Sequence, residues 1–206
     1  MSFYENHILP HIIGAACGVK PIRKQREKVV PAAEGVVLEV GMGAGPNLAF
    51  YDPARVSFVY GLEPSEGMRR KAAKAIAASP VPVETLDLPG ESVPLEDASV
   101  DTVVMTYTLC TIPDWQRAMD EMCRVLKPGG RLLFSEHGLA PDEGVATWQR
   151  RIEPVWKPIA GGCHLTRPID RLIEAGGFAF DRVETMYLPR SPKFAGFTYW
   201  GSAKPR

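Results

Sequence analysis

The 206-residue sequence has no excess charge of either sign, 24 lysines and arginines standing against 24 aspartates and glutamates. With no net field to recruit a polyanion, nucleic-acid binding is not expected, and a charged partner would have to be met by a local patch. Long apolar runs are missing too. None approaches the ~20 residues of a membrane span, and no basic region leads into an apolar core at the N-terminus, so a cytoplasmic setting without a transmembrane segment is expected. The four cysteines, at 17, 110, 123 and 163, form no C-x-x-C pair. Without a secretory signal they should remain reduced, with neither a structural disulfide nor zinc. His7 and His11 have helical i, i+4 spacing, but no third histidine stands near them to complete a site, so no metal is expected there either.

What is present fits one α/β domain. At 45% apolar, the chain can bury a sizeable core but has no room for a comfortable second one. Residues 1–33 read as a helical lid segment and 34–206 as a Rossmann-like core, in a monomer or weak homodimer. The chain is organised around Val36 to Pro53, VVLEVGMGAGPNLAFYDP. Val36 to Val40 reads as a buried strand, and Gly41, Gly43 and Gly45 let the backbone turn close to a ligand. Asn47, Leu48 and Ala49 read as a first helical turn whose free N–H groups face that ligand. The dinucleotide fingerprint G-x-G-x-x-G requires glycine at its sixth position, where this chain has Pro46. That disfavours a nicotinamide-dependent dehydrogenase, as does the absence of a Y-x-x-x-K pair.

Val56 to Leu62 forms a second apolar run, ending in Glu63, Pro64 and Ser65. Glu63 lies roughly twenty residues past the glycines, where a strand-end carboxylate can accept hydrogen bonds from both ribose hydroxyls of a nucleotide. Ser65 can cap a helix running to Ala78, with Met68 on its first turn placed against a purine face. Strands follow at Val81 to Leu86 and Thr102 to Thr106. The segment Tyr107 to Asp114, YTLCTIPD, lies at the carboxyl end of the latter, where open parallel sheets bind ligands. Cys110 and Thr111 in it can either pack or touch a substrate. A helix from Trp115 to Leu126 stops at KPGG, and a fifth strand, Arg131 to Glu136, follows. His137 after it could take a proton from a nucleophile or be hydrogen-bonded in its own loop. Further on, Trp148 to Pro158 reads as a helix, Thr166 as a cap before Pro168, and Ala179 to Leu188 with Gly196 to Ala203 as a closing antiparallel hairpin. The basic run KPIRKQREK, Lys20 to Lys28, reads as a solvated helix face begun by Pro21.

Glu39 followed by Gly41, Gly43 and Gly45 resembles the first motif of the Rossmann-like class I methyltransferases that bind S-adenosylmethionine, of the methyltransferase type 11 kind. Asp97 to Asp101 and the phrase RVLKPGGRLLFSEH extend the likeness. It implies a seven-stranded, mostly parallel sheet with an antiparallel C-terminal hairpin and helices on both faces. The cofactor is then expected to meet Glu39, Gly41, Met42, Gly43, Gly45, Asn47, Glu63, Pro64 and Met68. Its adenine would meet the turn at Gly90 and Glu91, and its amino-acid end Thr106 and Tyr107. Glu136-His137, the tryptophan-bearing segment to Trp156, and Gly162-Cys163 with Leu165-Thr166-Arg167 resemble the alkyl-thiol methyltransferases of the methyltransferase-like group. Those relatives carry a hydrophobic N-terminal anchor, and none is expected here. The resemblance implies a small-molecule acceptor, with a lipophilic thiol the leading candidate. Tyr4, His7, Cys110, Glu136, His137, Trp148, Trp156 and Arg167 are the candidate substrate contacts, and His137 and Tyr107 the candidate catalytic groups. A module that binds the nucleoside without catalysis stands as the alternative of a different class.

Overall fold

Side-chain alternation along short apolar strands decides the architecture in the computed structural model, which describes residues 18–206. The strands are β1 (Gly35–Val40), β2 (Val56–Leu62), β3 (Val83–Leu86), β4 (Val100–Thr106), β5 (Leu126–His137), β6 (Phe178–Tyr187) and β7 (Phe197–Pro205). They form one sheet in the order β3-β2-β1-β4-β5-β7-β6. The first five run parallel, while β7 is antiparallel to both β5 and β6, which closes the sheet with a hairpin. This is the mixed seven-stranded sheet that the sequence implies.

Successive residues point to opposite faces, and both faces are apolar, as parallel strands covered on two sides require. Val37, Val59, Val104 and Leu133 enter one core cluster, which is covered by α1 (Lys20–Val29) and α2 (Glu66–Ala77). Leu38, Leu62, Val103, Met105, Leu132 and Phe134 enter the other, under α3 (Trp115–Val125) and, beyond α4 (Glu143–Ile159), α5 (Ile169–Ala175). Helix α3 buries Ala118, Met119, Met122 and Val125, one stripe at helical spacing, and the Asp114 carboxylate accepts the Arg117 N–H to cap it. Ser65 caps α2 by accepting the Met68 N–H. A last short helix, α6 (Lys193–Gly196), joins β6 to β7.

Several elements differ from the sequence reading, each for a local reason. The KPGG turn does not precede β5 but lies inside it: the register passes from Val100↔Leu126 to Thr102↔Arg131, leaving residues 127–130 bulged. The bulge lets Lys127 reach the Asp101 carboxylate at 2.8 Å, which also accepts the Val36 N–H at 2.8 Å. Thr166 does not cap α5. Its hydroxyl and N–H both go to Glu153 Oε2, at 2.6 and 2.8 Å, and Pro168 at the helix N-cap has no side-chain cap. The turn after the glycines is a 3-10 turn at Leu48–Phe50. Helix α1 is not a purely solvated face, because Gln25 and Arg26 are buried with Val29. The expectations for residues 3–17, Tyr4, His7 and His11 among them, lie outside the described residues. No helix among the described residues is long and apolar enough to cross a membrane.

Sheet order reverses between β1 and β4, which opens a crevice at the carboxyl ends of these strands. The crevice is only as rigid as the core beneath it. Phe134 is fully buried and meets Phe180 ring to ring at 5.7 Å. Phe134→Ala should therefore cost about 3–5 kcal/mol. The check is urea unfolding, with the midpoint falling while the slope stays the same.

Candidate functional site

A cleft of about 360 Å³ occupies this crevice. That is within the range of small-molecule sites, roughly 300–1,000 Å³. Its floor is the glycine loop after β1, from Gly41 to Ala44, with Pro46. One wall is the end of β2, with Glu63, Pro64, Ser65 and Met68, and the other is the loop after β4, with Thr106, Tyr107, Thr108, Thr111, Ile112 and Pro113. Pro89, Gly90 and Glu91 close one end; Gly18, Arg26 and Gly161 complete the lining.

The glycines have different reasons to be glycine. All three have positive φ, but a Cβ on Gly41 would strike the Thr108 side chain at 2.3 Å, and one on Gly45 would crowd Ala75 and Leu48 at 3.0 Å. At Gly43 a Cβ would meet only the tip of Met68, at 3.3 Å, and otherwise open cleft. Gly41 and Gly45 thus serve packing, whereas Gly43 leaves room for something outside the protein.

Glu63 fixes this loop to β2. Its Oε2 accepts the Gly43 N–H at 2.9 Å and its Oε1 the Ser65 N–H at 2.8 Å. Burial raises its pKa above the usual carboxylate value, against the opposing pull of the Ser65 and Gly43 N–H groups and of Arg69. A carboxylate offers about four acceptor positions, so two remain for a ligand's hydroxyls. Glu91 also lines the cleft, with Oε1 accepting the Asp114 N–H at 3.3 Å. Gly90 packs against Val40 and Ile112, where a Cβ would come within 3.2 and 3.4 Å.

Beneath the loop lies a buried polar knot. Asn47 donates to Glu39 Oε1 and to Thr106 Oγ1, both at 3.0 Å, and the Tyr51 hydroxyl donates to Glu39 Oε2 at 2.7 Å. Arg26 enters from α1, donating to Asn47 Oδ1 at 3.1 Å and to Thr106 Oγ1 in a short contact, with its guanidinium 5.3 Å from the centre of the Tyr107 ring. Glu39 and Asn47, expected on the cofactor, instead face each other behind the loop and do not line the cleft. Arg26 is the residue the sequence reading missed. Its signal is the spacing of Ile22, Arg26, Val29 and Val30, which puts an arginine in the apolar stripe of an amphipathic helix.

The substrate contacts expected on the acceptor side are arranged differently from the sequence reading. Glu136 is fully buried, and its carboxylate accepts the N–H groups of Thr108 at 2.7 Å and Cys110 at 3.5 Å, so it anchors the β4 loop and does not face the cleft. Arg167 donates to the Leu109 carbonyl of the same loop. His137 lies behind this loop with Nε2 2.7 Å from the Cys163 sulfur, which is 3.7 Å from the Cys110 sulfur. Trp148 is 60% exposed, and Trp156 packs edge-on against Phe194. Neither tryptophan lines the cleft. Tyr107 does line it, at φ 57°, but burial pushes its phenol up to about 12, opposed by the neighbouring Ser135 and Thr198 hydroxyls. A phenolate there is not available near neutral pH.

Burial raises the Glu39 carboxyl to about 7, against hydrogen bonds from Tyr51 and Asn47 and the charge of Arg26. The folded protein therefore holds this proton where the unfolded chain, near 4.5, has released it, and this group's contribution to stability falls as pH rises from about 4.5 to 7. Glu39→Gln lacks that loss. Between pH 5 and 7 the wild type should lose stability relative to the variant by about 2 kcal/mol, as chemical denaturation at stepped pH would show.

A methyltransferase domain model matches residues 38–134, from β1 through most of β5. The thiol S-methyltransferase TMT1B of Rattus norvegicus is 36% identical over 173 residues, covering 79% of this chain and 70% of its own. The thiol S-methyltransferase TMT1A of Homo sapiens is 33% identical over 166 residues, covering 78% and 67%. Among solved structures, a SAM-dependent methyltransferase of Thermotoga maritima, described as a possible histamine N-methyltransferase, superposes with a TM-score of 0.67 at 22% identity over 98% of both chains. That last likeness speaks for the fold alone. Identity above 30% across two thirds of a relative's length, carried on this same sheet, leads to one assignment: the chain belongs to the S-adenosylmethionine-dependent methyltransferase family and is an enzyme of that class.

Proposed function

We propose that the acceptor is a small lipophilic thiol, methylated on sulfur. The observation that carries this is the 36% and 33% identity to relatives named as thiol S-methyltransferases, over almost four fifths of the chain. The apolar side chains of Ile112 and Pro113 in the cleft lining favour the same reading. When bound, S-adenosylmethionine supplies a methyl group made electrophilic by its sulfonium.

The residues present fit that cofactor. Glu63 would take the ribose hydroxyls with its two remaining acceptor positions, and Gly43 would let the ligand approach the backbone. Met68 would lie along the adenine, with Gly90 and Glu91 beside it. Thr106 and Tyr107 would flank the amino-acid end, where Arg26 brings a positive charge for a carboxylate. Pro64, Gly41 and Met42 complete the cradle, while Gly45, Asn47 and Glu39 shape it from behind. Gly18 and Arg26 put the segment ahead of β1 on the cleft wall, which supports its reading as a lid. In-line displacement asks the protein mainly to align nucleophile and methyl group and to exclude water. No general base faces the cleft from Tyr107 or His137, so the acceptor has to arrive as, or become, a thiolate by other means.

Glu63→Ala should weaken S-adenosylhomocysteine binding by about 2 kcal/mol, or roughly 30-fold, since a charged hydrogen-bond partner is removed. Isothermal titration measures it, and unchanged affinity would remove Glu63 from the ribose. For the acceptor, labelled methyl transfer should proceed with alkyl thiols and not with matched amines or phenols. Turnover of an amine with no turnover of any thiol would refute the thiol reading.

A further inference from the structure

Cys110 from the loop after β4, His137 from the last position of β5 and Cys163 from the loop after α4 come together. Their ligand atoms lie within 4.8 Å of one another, and all three side chains are buried. They are far apart in sequence, 26 residues between His137 and Cys163 and 53 between the two cysteines, so spacing gave no sign of them. The sequence reading, finding no C-x-x-C pair, expected no zinc at the cysteines; it had no means of seeing that these two meet at His137.

We propose that this cluster binds a thiophilic d10 cation, zinc above all, through three protein ligands, with a fourth position left for a thiolate. Two thiolate sulfurs at about 2.3 Å on a tetrahedral zinc stand about 3.8 Å apart. The observed separation is 3.7 Å, well beyond the ~2.05 Å of a disulfide. His137 Nε2 is 2.7 Å from the Cys163 sulfur, closer than even an ordinary N–H···O contact of about 2.9 Å. An ion between them would draw the imidazole back by less than about 1 Å to a normal ligand separation. His137 Nδ1 is buried without a partner among the described residues, and an Nε2 lone pair turned to the ion would leave the imidazole proton on that nitrogen. Two thiolates and a neutral imidazole cancel the charge of the cation, as a buried site demands.

The nearby carboxylates are already committed. Glu136 holds the N–H groups of Thr108 and Cys110, and Glu153 holds His164 and Thr166, so neither supplies a fourth ligand. The Cys110 sulfur is 3.5 Å from the Thr111 hydroxyl, and Thr111 lines the cleft. The open position thus belongs on the Thr111 side. A catalytic Cys₂His zinc with one open position is a known arrangement, and ligands drawn from scattered segments suit it better than a closed structural site.

On the thiol reading, on which this last step rests, the acceptor RSH would bind there as a thiolate, its proton passing to solvent through the cleft. Its sulfur would form the new S–CH₃ bond as the methyl-to-sulfonium bond breaks, the electron pair staying with the departing thioether.

The test uses the reduced, anaerobic full chain titrated with Co²⁺ alone. One equivalent should give the intense visible bands of tetrahedral thiolate-bound cobalt, and Zn²⁺ should bleach them. Cys110→Ser and Cys163→Ser should each lose the bands, while Cys123→Ser, outside the cluster, should keep them. Circular dichroism and S-adenosylhomocysteine binding establish that each variant is folded. No cobalt band in the folded wild type, or oxidation of Cys110 and Cys163 to a disulfide with no metal uptake under any condition, overturns the site. Butanethiol should then shift the bands without any cofactor present, a readout independent of methyl transfer. Bands that ignore butanethiol overturn the open position, whatever the methylation assay gives.

Discussion

The cleft depends on a charge kept out of water. Arg26, buried on α1 with one side on the cleft, binds Asn47 and Thr106 while Glu39 stands beside them with Asn47 and Tyr51 on its two oxygens. Removing Asn47 or Thr106 would leave buried guanidinium donors unpaired, which costs far more than an apolar residue in the same place would. The knot ties together three segments distant in sequence: the helix before the sheet, the turn after the glycine loop and the end of β4. These are the segments between which the strand order reverses. The position of the floor of the cleft relative to its wall is therefore set by hydrogen bonds of fixed direction, where apolar packing alone would allow sliding.

A similar division holds on the acceptor side. Glu136 spends its carboxylate on backbone N–H groups of the loop after β4, and Arg167 steadies the same loop through the Leu109 carbonyl. Glu153 holds the segment carrying Cys163 against α4 through His164 and Thr166. Charged residues that in sequence look like substrate ligands thus serve to position backbone. The groups left facing the cleft from the loop after β4, from Thr106 to Pro113, carry no charge.

Much of the fold was legible in the sequence because it is written in local periodicities: alternating strands, the Ser65 cap, the stripe of α3, the positive-φ glycines. The placing of Gly43, Glu63 and Met68 on one cleft, which follows from chain direction, was legible for the same reason. Where the arrangement was not legible, the cause was tertiary. Nothing local tells that Glu39 turns toward Asn47 and Tyr51 behind the cleft, that Thr166 prefers Glu153 to its own helix, or that Lys127 bulges out of β5 to meet Asp101. Arg26 was hidden by its neighbours, since a buried arginine inside a basic run looks like one more solvated charge. Cys110, His137 and Cys163 were hidden by distance, because only the packing of two loops against the end of β5 brings them together.

The unequal roles of the three glycines have an evolutionary consequence. Gly41 and Gly45 are held by Thr108, Ala75 and Leu48, so any descendant of this chain that still folds has reason to keep them. Gly43 has only the end of one flexible methionine near it, and a non-glycine residue in its left-handed conformation costs about 1–2 kcal/mol. A lineage that ceased to bind a nucleoside could drift at position 43 with little harm to folding. Among relatives sharing this sheet, the residue at that one position should separate working enzymes from retired ones more cleanly than the glycine loop taken as a whole.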